Sequence, residues 1–115
     1  MMGPQHPSLA AGRWSRFSLI EQLANVGSEV ERALTWRNKR NPEYSRLAIL
    51  RALELLGLTV ADPRHRRRLK ELTRLREALL DDFFGDNAYG STEKSWHAYF
   101  YAYGYAASLA RRKKD

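Results

Sequence analysis

Apolar residues recur at three- and four-residue steps in four stretches of the chain, and no stretch alternates as a half-buried strand does. The first stretch begins near Ser18, which together with Glu21 has the spacing of a capping box. Its apolar positions extend to Leu34, and the basic residues Arg37 and Arg40 fall in the last turn, where cations complement the helix dipole. The pattern therefore predicts a first helix that has a capping box at its start and basic residues in its last turn.

The next two helices are predicted from a repeated pair of residues. Asn41-Pro42 is typical of an N-cap followed by the first helical position, and the apolar pattern then runs to about Ala61. This segment is apolar nearly all round, so it needs cover on more than one side, and a second copy could supply part of that cover. Asp62-Pro63 repeats the pair and predicts a third helix to about Phe84, where Gly85 is the expected stop.

A fourth helix is predicted after a short polar turn, with Ser91 or Thr92 as its cap. One face carries an aromatic stripe that we interpret as core, and it consists of Trp96, Tyr99, Phe100 and Tyr103. Tyr101 and Tyr105 lie off that stripe. We expect these two tyrosines to form an oligomer interface, because tyrosine is enriched at subunit contacts, with the stacking of nucleic-acid bases as the alternative.

Four helices with short links predict an all-α fold, an antiparallel up-down-up-down four-helix bundle. We expect the bundle over residues 15–112, after a disordered lead-in of residues 1–14 and before a basic tail of residues 113–115. Three glycines lie inside predicted helices at similar heights and are expected to form one layer of close helix packing: Gly27, Gly57 and Gly104.

The 115 residues suit one domain, and they include no cysteine, which excludes disulfides and thiolate metal sites. No apolar run is long enough to span a bilayer and no secretion signal is apparent, so we expect a cytoplasmic protein without a membrane partner. The net charge of +7 indicates an anionic partner or, as the plainer alternative, a solvated Lys/Arg-rich surface.

The predicted topology collects the excess positive charge at one end of the bundle. The candidate nucleic-acid-binding residues there are Arg64, Arg66, Arg67, Arg68, Lys70, Arg111, Arg112, Lys113 and Lys114, and Arg13 and Arg16 should lie near them. The cluster from Arg64 to Arg68 lies at a helix start, where cations oppose the helix dipole. Because this placement is unfavourable for stability, we interpret the cluster as a binding site for a polyanion rather than as a solvated charge run. The planar guanidinium group of arginine also suits phosphate.

Catalytic chemistry finds little support in the sequence. Asp81, Asp82 and Asp86 could hold Mg²⁺ in a nucleotide hydrolase, but an acidic helix end is the favoured interpretation. His97 is interpreted as a partly buried packing residue, and no phosphate-binding glycine loop is present. We therefore predict no catalytic residue, no metal and no cofactor, hence a protein that is not an enzyme.

Three segments resemble a family of small uncharacterised prokaryotic α-helical proteins, and the resemblance covers residues 19–110. They are Phe83–Thr92, Arg51–Leu56 and Gly27–Val30. In shape and charge the chain is also similar to the four-helix bundles encoded in 23S rRNA intervening sequences and to the accessory variability determinant (Avd) of diversity-generating retroelements. Avd proteins form basic oligomers that bind nucleic acid and a reverse transcriptase.

These observations predict a non-catalytic, homo-oligomeric helical protein that binds RNA or DNA as an accessory subunit of a larger enzyme or ribonucleoprotein, for example a reverse transcriptase. The alternative is a protein-interaction or antitoxin-like bundle whose basic end meets an acidic protein. A Mg²⁺-dependent hydrolase is the third hypothesis.

Overall fold

The structure, a computed structural model, describes residues 12–114, with side chains to Lys113. Four long helices follow one another: α1 (Leu19–Asn38), α2 (Pro42–Ala61), α3 (Leu69–Phe84) and α4 (Glu93–Lys114). A 3₁₀ segment, Pro63–Arg68, joins α2 to α3. No strand occurs within this range, which confirms the all-α class. None of the helices described is both long and apolar enough to cross a membrane.

The predicted helix starts are confirmed by their capping hydrogen bonds. At α1, the Glu21 amide donates to Ser18 Oγ at 3.2 Å, and the Ser18 amide donates to the Glu21 carboxylate at 3.0 Å. Asn41 Oδ1 caps α2 by accepting from the Tyr44 amide at 3.0 Å. Of the two candidate caps for α4, Thr92 is used, and its Oγ1 accepts from the Ser95 amide at 3.0 Å. Each cap is a contact within three residues, which explains why the sequence shows it.

The third helix differs from its prediction because its first turn is not α-helical. Pro63–Arg68 forms a 3₁₀ segment, and His65 within it has φ −104° and ψ 20°. The side chain of His65 is buried against α1, where its Nε2 lies 3.0 Å from Gln22 Oε1. This contact between residues far apart in the chain turns the backbone away from an α-helical path, and α3 proper starts at Leu69.

The core is centred on α1, which packs against α2 and α4, while α2 also packs against α3. Leu23, Val26 and Val30 of α1 are fully buried. Trp14 is also buried in this core and donates its Nε1–H to Thr59 Oγ1 at 2.9 Å. It therefore belongs to the packed domain rather than to the lead-in. Gly12 and Arg13 of the predicted lead-in are helical and exposed, and its residues 1–11 lie outside the described residues. The predicted basic tail is helical as far as Lys114.

Polar contacts show which helix ends meet. Arg37 at the end of α1 pairs with Asp82 at the end of α3, at 3.2 Å. Its neighbour Asn38 donates to Glu93 at the start of α4, at 3.0 Å. A basic and an acidic residue from different helices thus form an ion pair at this end of the domain.

The predicted layer of three packed glycines is wrong. A Cβ at Gly27 would lie 2.8 Å from Phe100 of α4, so α1 and α4 do approach closely there. A Cβ at Gly57 or Gly104 would meet no atom within 4 Å. Similar heights along three helices do not fix the rotation of each helix about its axis, and only Gly27 faces a neighbour.

Candidate nucleic-acid interface

The arginine-rich 3₁₀ segment is held on the domain by a buried polar network. Gln22 lies at its centre, since its Oε1 meets His65 while its Nε2 donates to the Trp14 carbonyl at 2.8 Å. Trp14 is in turn tied to Thr59 of α2. All four side chains are buried, and each is hydrogen-bonded. Because buried polar groups with partners fix the local geometry, the backbone carrying the arginines has one defined position.

Arg64 does not offer a free charge at this site. Its guanidinium pairs with Asp62 at 2.6 Å and also donates to the Phe17 carbonyl at 2.9 Å. The hydrogen bonds from Arg64 lower the pKa of Asp62 from 3.8 to about 2, so the carboxylate remains charged at neutral pH. Arg64 therefore anchors the segment to the chain before α1, and its charge is offset locally.

Arg68 is also paired within the protein. Its Nη2 lies 2.7 Å from the Glu71 carboxylate and 3.3 Å from the Tyr103 hydroxyl on α4. The same carboxylate accepts a hydrogen bond from the Tyr103 hydroxyl at 3.3 Å. These contacts join the start of α3 to the middle of α4, and they give Arg68 a structural role.

The remaining cations of this run point into solvent. Arg66, Arg67 and Lys70 are exposed, and none of them forms an ion pair with any residue that the structure describes. The nearest acids along the chain, Asp62 and Glu71, already have arginine partners. Three uncompensated positive charges thus lie side by side at the start of α3.

The basic end of α4 is connected to this run through Phe17. Arg111 and Phe17 line the same shallow pocket, and Phe17 is the residue whose carbonyl accepts from Arg64. Arg111, Arg112 and Lys113 are exposed and unpaired within the described part of the chain. The side chain of Lys114 is outside that part. Arg13 and Arg16 are exposed just before α1.

We refer to the unpaired cations around the start of α3 and at the end of α4 as the open basic surface. It comprises Arg66, Arg67, Lys70, Arg111, Arg112 and Lys113. The internal pairs of Arg64 and Arg68 were not predicted from the sequence. The three-residue spacing of Arg68 and Glu71 on a helix was a signal that could have identified one of them.

Two tyrosine side chains of α4 lie outside the core. Tyr101 and Tyr105 are 72% and 57% exposed, and their rings stack on each other with centroids 6.2 Å apart. By contrast, Trp96 and Phe100 of the predicted stripe are buried, and Tyr99 and Tyr103 pack against the core. The structure therefore separates the two sets of aromatic residues as predicted.

Two of the three acidic residues near the end of α3 are engaged in structural contacts. Asp82 accepts from Trp96 Nε1 at 2.7 Å in addition to its pair with Arg37. Asp81 accepts from the Tyr89 amide at 2.9 Å, while Asp86 is exposed. In the described residues, no group of three or more potential ligands is arranged to hold a metal ion.

His97 is exposed, which corrects the prediction of a partly buried packing residue. Its Nδ1 contacts Glu31 of α1, and its Nε2 lies 3.4 Å from Glu93. Desolvation lowers the pKa of His97, but the hydrogen bonds to the two carboxylates outweigh it, so the pKa is raised above 6.5. The imidazole thus bridges α1 and α4 at the surface, a contact that helical spacing alone could not indicate.

Comparisons with protein-family models, with curated proteins and with solved structures gave no significant match for this chain.

Proposed function

We propose that this protein binds the phosphate backbone of RNA or DNA through its open basic surface, without catalysing a reaction. The supporting observation is the division among the basic residues. Arg64 and Arg68 have partners inside the protein, whereas the six residues of the open basic surface have none among the residues described. Phosphate groups would supply the missing counter-charges and relieve repulsion between neighbouring cations.

The position of Arg66, Arg67 and Lys70 supports a bound anion further. All three lie at or just before the amino-terminal turn of α3. A cation there interacts unfavourably with the helix dipole and lowers stability by about 0.3–1 kcal/mol. Stability alone would favour acidic residues there. A bound polyanion would interact favourably with the helix dipole, because its phosphates would face both the free backbone amides of the helix start and the guanidinium groups.

The wider assembly is part of the same proposal. We take the four helices as an antiparallel up-down-up-down bundle in the cytoplasm, whose copies associate through Tyr101 and Tyr105. The exposure of these two rings supports an interface, since burying an aromatic side chain contributes strongly to association. The likeness in shape and charge to Avd proteins favours a larger enzyme, such as a reverse transcriptase, as the protein partner.

Fluorescence anisotropy with labelled single-stranded and double-stranded RNA and DNA tests the proposal. A surface variant changes Arg66, Arg67 and Lys70 to Gln. A control variant of equal net charge makes the same change at exposed cations elsewhere: Arg46, Arg76 and Lys94. We expect at least a tenfold loss of affinity in the surface variant and less than a threefold loss in the control. Equal losses in both would show attraction to net charge alone and would contradict a defined site.

Light scattering tests the subunit contact separately. The Tyr101→Ser/Tyr105→Ser variant should be a monomer that still binds nucleic acid, though more weakly because fewer sites act together. A wild-type protein that remains a monomer at high concentration would refute the interface. Loss of nucleic-acid binding in a monomeric, folded variant would instead support the alternative of base stacking on these rings.

A further inference from the structure

A cavity of about 380 Å³ lies at the end of the domain where α1 ends and α2 begins. Its apolar walls come from Ile49 of α2 and from Phe83 and Phe84 at the end of α3. Three arginines line it as well: Arg37, Arg40 and Arg46. An apolar hollow with a few convergent polar groups is the usual form of a small-molecule site, and this volume falls within the range of such sites.

The three arginines are not equivalent. Arg37 lies 4.5 Å from the centre of the Phe83 ring and pairs with Asp82, so its charge is offset and its position fixed. Arg40 and Arg46 are exposed and form no ion pair with any described residue. The cavity therefore combines apolar walls with two uncompensated positive charges.

The backbone of Arg40 has an unusual conformation. Arg40 has φ +58°, in the left-handed region that glycine usually occupies after a helix. The turn is a Schellman motif, because the Asn41 amide donates to the Trp36 carbonyl at 2.9 Å and the Arg40 amide to the Arg37 carbonyl at 3.1 Å. Arg40, which lines the cavity, is therefore strained where a glycine would not be.

We propose that this cavity binds a small molecule with a flat apolar body and one anionic head, such as an aromatic carboxylate. The apolar body would cover Ile49 and the half-exposed ring of Phe84, while the head would accept hydrogen bonds from Arg40 and Arg46. The site is formed by different residues from those of the open basic surface, so it does not depend on the proposed nucleic-acid binding.

Isothermal titration and amide chemical-shift mapping with 2-naphthoate test this proposal. We expect the shifts to centre on residues 40–49 and 83–84, and the uncharged analogue 2-naphthalenemethanol to bind at least tenfold more weakly. Loss of one charge-assisted hydrogen bond weakens binding by about tenfold or more, so Arg40→Gly and Arg46→Gln should each show that loss. Arg76→Gln and the surface variant should bind 2-naphthoate as the wild type does.

The Arg40→Gly variant separates binding from folding. Glycine suits the left-handed backbone, so this variant should melt at the wild-type temperature or above while it loses affinity. The proposal is overturned if Arg40→Gly binds 2-naphthoate as tightly as the wild type, or if the uncharged analogue binds equally well. It is also overturned if the shifts map elsewhere, if the surface variant loses the ligand, or if no binding is detected.

Discussion

Gly27 allows a sharp test of how α1 and α4 pack. A Cβ at this position would lie 2.8 Å from three atoms of Phe100, including its Cβ and two ring carbons. The ring of Phe100 has little room to move, because Trp96 and Tyr99 pack against it with centroids 6.2 Å and 5.0 Å away. Gly27→Ala therefore requires α1 and α4 to move apart.

The expected size follows from two opposing contributions. Overpacking a well-packed core costs about 1–3 kcal/mol. Replacing glycine by alanine inside a helix returns about 0.8–1 kcal/mol. We expect Gly27→Ala to lower the free energy of unfolding by up to about 2 kcal/mol, which corresponds to a fall in melting temperature of up to about 8 °C.

The other two helical glycines are matched controls, because a Cβ at Gly57 or Gly104 meets no atom within 4 Å. Each change to alanine should gain up to about 1 kcal/mol from helix propensity alone. Urea denaturation, with the slope m compared between variants, measures all three changes on one scale. If Gly27→Ala proves as stable as the two controls, the close approach of α1 to Phe100 is wrong.

Three further changes probe other parts of the structure. Asp62→Ala should lower the free energy of unfolding at pH 7 by about 1–2 kcal/mol, because it removes a helix cap and a solvent-screened pair with Arg64. The pKa of Asp62 is lowered to about 2, so this contribution should be present above about pH 4 and be lost as the pH falls toward 2. Thermal melts from pH 7 to 2 would check this dependence. The pKa of His97 is raised, so its stabilising contribution should be complete below pH 6.5 and be lost as the pH rises through the raised pKa. The melting temperatures of the wild type and of His97→Gln should therefore converge at high pH. A difference that stays constant with pH would contradict the bridge between α1 and α4. Trp14→Phe leaves Thr59 without its indole partner and should cost about 1–3 kcal/mol in urea, whereas an unchanged midpoint would place Trp14 outside the core.

Local signals in the sequence predicted the parts of the fold that depend on neighbours along the chain. Ser18 and Glu21 cap α1 through contacts three residues apart, and Asn41 caps α2 in the same way. The irregular start of the third helix was missed, because it depends on the contact of His65 with Gln22, 43 residues away. No periodicity in the sequence encodes such a pairing.

The sequence predicted which basic residues are candidates for the interface, but not which of them have partners inside the protein. Residue type and helix order indicated a basic end, but the division into paired and unpaired arginines depends on side-chain geometry. Arg64 reaches Phe17, which is 47 residues away, and Arg68 reaches Tyr103, which is 35 residues away. The arginine-lined cavity was missed because the left-handed backbone of Arg40 cannot be inferred from a residue type that seldom adopts it.

The salt dependence of nucleic-acid binding shows whether the open basic surface contacts phosphate groups. The logarithm of the binding constant should fall linearly with the logarithm of salt concentration between about 50 and 200 mM. Removing three cations that contact phosphate should make this slope shallower by about two to three in the surface variant, since each contact contributes about 0.7–0.9. The control variant should keep the wild-type slope. A surface variant with an unchanged slope would show that the open basic surface does not contact the nucleic acid.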